Sequence, residues 1–294
     1  MSEQRLVIYE RPKLSKPYLV MGFEGWPDAG KVSSGVVTYL RDKLAAKKLA
    51  EVKPDDFYLF QSPGAEVGRP VVDIQDGLVK ALSLPTTTFW FCKPKESGRD
   101  LIFALGREPE LRWGDYVSLV LDLARDFGVV RIYTIGGTYD VVPHTIEPLV
   151  GVVLSAPGLE PEMRKYEIQP INYRGSSSIH STLLVSAGKS EIEMISLWGY
   201  VPHYVQVANT KVCYHVLSKL TKMLEVSLNL DDISQKSAQL DEMIDKAVSQ
   251  KPELQDYVRR LEAEYSQGRY EGGETLKEDI IKDIEDFLRR RGEE

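Results

Sequence analysis

The stretch GWPDAGKVSSG, residues 25–35, contains residue types that could bind a nucleotide phosphate. A phosphate-binding loop requires Gly, four further residues, then Gly-Lys and Ser or Thr. Its N–H groups surround the phosphates, while the lysine and the hydroxyl reach the outer phosphates and a magnesium ion. Gly25, Gly30 and Lys31 satisfy this spacing, but Val32 stands at the hydroxyl position and Pro27 lacks an N–H group. The motif is incomplete, and we do not expect it to bind a nucleotide.

A packing role explains the same small residues without a nucleotide. Gly25, Ala29 and Gly30 follow an apolar run and would allow a tight strand-to-helix turn that passes close to another backbone. Asp28 precedes residues with helical periodicity and is a predicted helix N-cap. This interpretation gives the turn a structural role.

Two further loops follow predicted strands, and both contain Val-Pro-His. The first, GGTYDVVPH at 136–144, supplies Gly136, Gly137, Thr138, Asp140 and His144. Together with 25–30 and 199–204, it should reach the carboxyl edge of a parallel sheet, where open α/β sheets bind ligands.

The second Val-Pro-His lies in GYVPHY, residues 199–204, and contributes His203 and Tyr204. The two histidines and Asp140 could be metal ligands, but no fixed spacing joins them. We expect instead that each proline rigidifies a turn and each histidine bonds a nearby backbone group. Trp26, Trp198 and Tyr204 could floor a ligand pocket or fill a subunit interface, and we favour the interface.

No complete catalytic motif accompanies these loops. Neither Gly-x-Ser-x-Gly, HExxH nor GxGxxG occurs, and the serines beside His180 in GSSSIH (175–180) do not make a catalytic pair by sequence proximity alone. We therefore predict no catalytic residue, no metal site and no cofactor.

The elements that would position these loops alternate between helices and apolar strands. Strands are predicted at 18–25, 55–63, 86–92, 100–106, 129–137 and 194–201, and helices after Asp28 and at 113–127, 181–192 and 212–224. Gly128 is expected to end the second helix in the left-handed conformation. The alternation predicts an α/β layer structure with a mostly parallel or mixed sheet.

The pattern of apolar residues changes after Leu228, and from there to the end only helical periodicity is found. Apolar residues recur at helical spacing in three runs, which are Leu240/Ile244/Val248, Leu254/Val258/Leu261/Tyr265 and Leu276/Ile280/Ile284/Phe287. Residues 230–294 carry 18 of the 44 acidic and 11 of the 37 basic side chains, so the rest of the chain is balanced at 26 of each. We predict an α/β domain at 1–228 and an acidic helical extension at 229–294.

Composition excludes several classes of protein. No segment is apolar enough to cross a membrane and the start lacks a signal peptide, so we expect a cytoplasmic protein. Cys92 and Cys213 lie in apolar surroundings, which is typical of reduced core residues. The net charge of −7 includes no clustered basic surface, so nucleic acid is not an expected partner.

Three motifs resemble the proteasome assembly chaperone family in its bacterial and archaeal branch, of the proteasome assembly chaperone two type. They are GFEGWPDAGKVSSGVVTYL (22–40), TIGGTYDVVPHT (134–145) and SLWGYVPHYV (196–205). The resemblance implies a three-layer α/β/α fold similar to purine nucleoside phosphorylases, and homo-oligomers in prokaryotes. It also implies a helical tail of the actinobacterial type.

The same resemblance frames the functional hypotheses. Relatives that dock on the proteasome tend to end in a hydrophobic residue, a tyrosine and one more residue, whereas this chain ends in LRRRGEE, so docking through the C-terminus is not expected. The leading hypothesis is a non-enzymatic, homo-oligomeric interaction protein of the assembly-chaperone type with an unidentified client. The alternative is a small-molecule-binding enzyme of the nucleoside phosphorylase or hydrolase type, with its pocket at the carboxyl edge.

Overall fold

A nine-stranded mixed sheet with helices on both faces forms the body of the chain. The computed structural model describes residues 5–60, 69–95, 97–190, 192–266 and 278–292. The strands are β1 (Leu6–Ile8), β2 (Tyr18–Glu24), β3 (Lys47–Val52), β4 (Val71–Gln75), β5 (Leu78–Ser83), β6 (Thr87–Cys92), β7 (Leu101–Arg107), β8 (Arg131–Asp140), β9 (Val150–Leu154), β10 (Gln169–Pro170) and β11 (Glu193–Pro202). The helices are α1 (Val32–Lys43), α2 (Trp113–Asp126), α3 (Glu160–Lys165), α4 (Ile179–Ala187), α5 (Thr210–Met223), α6 (Asp231–Ser249), α7 (Pro252–Ser266) and α8 (Glu278–Gly292).

The centre of the sheet is parallel and its flanks are mixed. The order is β1-β3-β6-β7-β2-β8-β11-β9-β10, and β7, β2, β8 and β11 run parallel to one another. Beside them, β6 pairs antiparallel with β7, and β9 pairs antiparallel with β11. The structure confirms the predicted α/β fold, and of the two predicted kinds of sheet it has the mixed one.

Alternation along β2 shows how the sheet separates two cores. Tyr18 and Val20 belong to the core shared with α1 and α5, whereas Leu19, Met21 and Phe23 belong to the core shared with α2 and α4. Both sets are buried, because a central strand with helices on each side has no solvent face. The result is a helical layer on each face of the sheet.

The structure corrects the predicted strand at 55–63. Over its described part, residues 55–60, the chain forms a turn in which the N–H groups of Phe57 and Tyr58 donate to the Pro54 carbonyl. Asp56, at 40% side-chain exposure, forms an ion pair with Arg5 instead of entering a sheet. Residues 61–63 lie outside the described part.

Boundaries and omissions account for the other differences. The helix predicted at 181–192 begins earlier, at Ile179, and ends at Ala187. Gly128 does adopt the left-handed conformation after α2, with φ of 71°. The strands not predicted are short or lie toward the edges of a sheet, and they are β1, β3, β4, β5, β9 and β10.

The C-terminal helices α6, α7 and α8 confirm the helical periodicity and form a third core with the end of the body. Leu240, Ile244, Leu254 and Leu261 pack there with Tyr204. Leu276 lies outside the described residues. The division into domains at 1–228 and 229–294 stays a prediction, since the helices share this core with the body.

Candidate functional site

The turn after β2 packs against the end of β8. The Gly137 N–H donates to the Pro27 carbonyl at 2.7 Å, and Asp28 forms an isolated parallel bridge with Gly137. A Cβ on Gly137 would lie 2.3 Å from the Ala29 carbonyl oxygen, so only glycine permits this approach. Gly30 has φ of 57°, in the region that favours glycine.

The polar groups of this turn bond within the protein. The Asp28 carboxylate accepts from the Ser34 N–H at 2.9 Å and from the Ser34 hydroxyl at 2.7 Å. It therefore serves the first turn of α1, although Lys31 occupies the N-cap position. The Ser33 hydroxyl is buried, donates to the Ile135 carbonyl and accepts from the Phe23 N–H. The hydroxyls of Ser33 and Ser34 and the N–H groups of Phe23 and Ser34 therefore all bond within the protein. This geometry favours a packed turn over an anion-binding loop.

Burial and hydrogen bonding act in opposite directions on Asp28. Its side chain is almost fully buried, and burial raises the pKa of the carboxyl. The hydrogen bonds from Ser34 and the ammonium group of Lys31, whose Nζ lies 3.5 Å from Asp28 Oδ2, lower the pKa. Lys31, the residue that would contact a phosphate, thus has a carboxylate partner inside the turn.

A cavity of about 370 Å³ opens at the carboxyl edge of the parallel strands; we call it the carboxyl-edge cavity. Four of the residues predicted from sequence line it, namely Trp26, Thr138, Asp140 and Trp198. Trp26 follows β2, Thr138 and Asp140 lie at the end of β8, and Trp198 lies in the middle of β11. Parallel strands therefore bring three distant sequence motifs to one place.

A glycine in β8 makes room for the aromatic floor of this cavity. Gly136 is the register partner of Trp198. A Cβ at this position would lie 2.6 Å from Cε3 of the Trp198 ring. Gly136 is therefore a spacing residue for the cavity and not itself a ligand-contacting group.

His180, on α4, completes the cavity, and sequence reasoning missed its role. The side chain is buried, its Nδ1 lies 3.2 Å from the Ser196 hydroxyl, and its ring lies 5.0 Å from the ring of Trp198. Its Nε2 has no hydrogen-bond partner among the described residues. Burial lowers the pKa of His180 to about 3, so the ring is neutral near pH 7. The Glu108 carboxylate, which accepts from the Ile179 N–H at 2.8 Å, anchors the first turn of α4.

His144 and Tyr204 lie elsewhere, at the junction with the C-terminal helices. The Tyr204 hydroxyl accepts from the His144 N–H at 2.7 Å and lies 2.8 Å from Nδ1 of the same histidine. His144 Nε2 is 3.0 Å from Asp245 on α6. Burial lowers the pKa of His144, while Asp245 opposes this shift. The expectation that this histidine bonds a backbone group is wrong, because its ring reaches two side chains.

His203 makes a parallel contact with the next helix. Its Nε2 lies 3.2 Å from the hydroxyl of Tyr257 on α7, and its ring packs edge-on against Tyr204 and Tyr257. Burial lowers the pKa of His203, and a hydrogen bond to the Asp140 backbone opposes this shift, in agreement with the expected backbone partner. Both histidines of the repeated Val-Pro-His therefore contact side chains of the helical extension.

A separate hairpin, β4 and β5, carries apolar side chains in water. Every residue of both strands is exposed. Asp76 and Gly77 connect the strands with positive φ angles of 53° and 76°, the conformation of a type I′ turn. The Asp-Gly pair between apolar residues is the sequence signal that could have identified this hairpin.

Four aliphatic side chains pair across one face of the hairpin. Val72 pairs with Leu82 and Ile74 pairs with Val79, and cross-strand partners share a face. The register shift between Asp73 and Ile74 keeps both pairs on the same side. We call Val72, Ile74, Val79 and Leu82 the aliphatic face; the opposite face mixes Val71, Asp73, Gln75, Leu78, Ala81 and Ser83.

The described ranges contain neither a metal-binding cluster nor a membrane-spanning helix. No group of three or more His, Cys, Asp or Glu side chains there could hold a metal ion. In the same part of the chain, no helix is long and apolar enough to cross a membrane. Cys92 and Cys213 are free and buried, and burial raises the pKa of each thiol to about 12.

Comparison with known proteins identifies relatives. The sequence pattern of the PAC2 family matches residues 22–248. A sequence comparison with curated proteins gives no match. Among solved structures, a proteasome-assembly chaperone homologue from Mycobacterium tuberculosis is 26% identical, with a TM-score of 0.74 over 82% of this chain and 99% of that one.

Two further solved structures are similar. A PAC2 family protein from Streptomyces avermitilis is 29% identical, with a TM-score of 0.73 over 82% of this chain and 99% of that one. An archaeal proteasome activator from Pyrococcus furiosus is 24% identical, with a TM-score of 0.62 over 82% of this chain and 97% of that one. The last likeness concerns the fold alone.

Proposed function

The chain belongs to the PAC2 family, and from this premise we propose that it is an assembly-chaperone-like protein that works through protein contacts and self-associates. The similar structure described as a proteasome-assembly chaperone homologue supports the first part. None of the comparisons supports the alternative of a nucleoside phosphorylase or hydrolase. The similarity to the phosphorylase fold implied by the sequence motifs remains a prediction.

The aliphatic face of the hairpin is the observation that carries the proposal. A two-stranded hairpin is at best marginally stable alone in water. On the aliphatic face, the side chains of Val79 and Leu82 are 65% and 61% exposed to solvent. Burying such side chains contributes roughly 1.5–3 kcal/mol each when burial is complete. The face therefore has a strong tendency to be covered by another surface.

We assign a second copy of the chain as the cover. The hairpin, residues 71–83, carries one basic and two acidic side chains, Lys80, Asp73 and Asp76, so its charge is small and does not by itself select a partner of one sign. A flat aliphatic patch is complementary to itself, which is the requirement of a two-fold symmetric contact. Two such faces can meet without placing charges of the net −7 chain against each other.

Two leucines on one strand provide a matched test. Leu82 lies on the aliphatic face and Leu78 on the opposite face, with exposures of 61% and 63%. We expect the wild-type protein and Leu78→Lys to form oligomers in light scattering, and Leu82→Lys to be monomeric with unchanged circular dichroism. A monomeric wild type at micromolar concentration, or equal masses for the two variants, would contradict self-association through this face.

A further inference from the structure

We propose that the carboxyl-edge cavity binds an uncharged, planar heteroaromatic small molecule. The inference does not depend on the hairpin contact, since the cavity is lined by the turn after β2, by β8, β9, β11 and α4, and by the loop before α4. It rests on the position, the size, the aromatic walls and the unpaired polar group of the cavity.

The cavity lies beside two neighbouring strands, β2 and β8, whose following connections run toward opposite edges of the sheet. The neighbouring strands β2 and β8 are parallel. The chain runs from β2 through α1 to β3, beyond β7 and β6, and from β8 to β9, beyond β11. Crevices outside the carboxyl ends of strands at such a switch point are the usual ligand sites of open α/β sheets.

The size and walls suit a planar ring system. The volume of about 370 Å³ lies within the range of small-molecule pockets, roughly 300–1,000 Å³. The rings of Trp26 and Trp198 are 6.5 Å apart at an angle of 68°, and Tyr139, Tyr173 and Tyr200 also line the space. Trp26 is 55% exposed, although a large aromatic side chain gains from being covered. A planar guest would cover it and stack against it.

The polar groups select against anions. His180 Nε2 is buried and has no hydrogen-bond partner within the part of the chain that the structure describes, and a buried polar nitrogen gains most from a new hydrogen bond. The neutral ring can offer this nitrogen as donor or acceptor to a ring nitrogen or an amide. Asp140 is the only ionisable side chain with a formal charge near pH 7 among the described lining residues, and no lysine or arginine joins it. A phosphate or carboxylate would therefore meet a carboxylate and no cation.

Titration calorimetry with four probes tests the inference on the full-length protein. The probes are indole, adenine, adenosine and AMP, of which the last two differ by one phosphate. We expect adenine or adenosine to bind, indole to bind more weakly because it offers a single donor, and AMP to bind roughly tenfold more weakly than adenosine. Nitrogen NMR of the four histidines should show a shift at His180 Nε2 when adenosine is added.

Variants separate cavity contacts from folding effects. Trp26→Ala should weaken adenine and adenosine binding roughly tenfold or more without loss of fold, because its side chain is half exposed. Tyr9→Ala is the matched control, since Tyr9 is 52% exposed and does not line the cavity. His180→Phe should reduce affinity and abolish the histidine shift. Leu82→Lys should bind as the wild type does, so failure of self-association and failure of ligand binding remain distinguishable.

Three results would each overturn the inference. The first is no heat of binding and no NMR shift with any neutral probe at millimolar concentration. The second is binding that Trp26→Ala leaves unchanged. The third is AMP binding as tightly as adenosine, which would contradict the selection against anions.

Discussion

At the scale of single side chains, the hydrogen-bond partners of buried polar residues show which role a motif has. The turn at 25–31 illustrates this, since Asp28 bonds Ser34 twice while Lys31 reaches only the same carboxylate. Similar residue types in a phosphate loop would face outward to a ligand. Here Asp28, Ser34 and Lys31 bond to one another within the turn, so the turn has a structural role.

Substitution of the two ionic residues in this turn distinguishes packing from anion binding. Asp28→Ala removes both acceptors of the first turn of α1 and should lower the free energy of unfolding by about 1–2 kcal/mol. Lys31→Ala should change it by less than about 0.5 kcal/mol, because the lysine side chain is 62% exposed. Urea denaturation measures both. Stabilisation of the wild type by phosphate that Lys31→Ala abolishes would contradict this account.

The buried neutral histidine His180 makes stability depend on pH. Its pKa of about 3 lies below the ordinary value of 6.5, so between these values the unfolded chain binds a proton that the folded chain does not. The free energy of unfolding should therefore fall as the pH falls, by up to roughly 1.4 kcal/mol per pH unit.

Denaturation at several pH values above about 4 and below about 7 tests this prediction. His180→Phe should show a smaller decrease than the wild type, since the other histidines and the buried carboxyls contribute to both proteins. Equal pH dependence in the two proteins would show that His180 titrates normally.

At the scale of secondary structure, long central elements were predictable and short outer ones were not. Strands β2, β8 and β11 each contain an apolar stretch that is buried on both faces of the sheet, and α2 and α5 bury one periodic face. By contrast, β3 reads KKLAEV, a composition that does not favour a strand, and it forms through pairing with β1 and β6. Tertiary pairing decided this strand against its local propensity.

The candidate site was predictable only in part for the same reason. Strand ends identified Trp26, Thr138, Asp140 and Trp198, because the carboxyl edge of a parallel sheet follows from the strand pattern. His180 lies on α4, which precedes β11 in the chain. Its contact with Trp198 depends on how α4 packs on the sheet, which the strand pattern does not predict. His144 and His203 were selected by a repeated tripeptide, but their partners lie on helices α6 and α7.

The junction between the body and these helices depends on the Tyr204 hydroxyl. Tyr204→Phe would leave the buried His144 N–H without an acceptor, and should lower the free energy of unfolding by about 1–3 kcal/mol. Tyr9→Phe, at an exposed tyrosine whose hydroxyl donates to Glu51 at 3.3 Å and accepts from Lys48 at 3.4 Å, should change it little. Guanidinium denaturation compares the two. Equal effects would mean that the Tyr204 hydroxyl does not hold this junction.

For the whole molecule, charge and apolar surface are separated. The excess negative charge lies in residues 230–294, whereas the aliphatic face lies on a hairpin with one basic and two acidic side chains. Self-association through this face should bring two negative molecules together by hydrophobic burial and not by ion pairing.

Salt dependence distinguishes these two modes of association. Raising ionic strength from about 0.05 to about 0.5 M screens repulsion between like-charged molecules and should maintain or strengthen the oligomer. Sedimentation velocity at both salt concentrations measures this. Dissociation at the higher concentration would indicate a contact made of ion pairs.

Hydrogen exchange of the hairpin amides tests the central claim most directly, because an uncovered two-stranded hairpin should open readily and exchange fast. We expect residues 71–83 of the wild type and of Leu78→Lys to be protected at oligomer-forming concentrations, and those of Leu82→Lys to exchange rapidly. Rapid exchange in all three proteins, or equal protection in all three, would contradict an aliphatic face covered by a second copy.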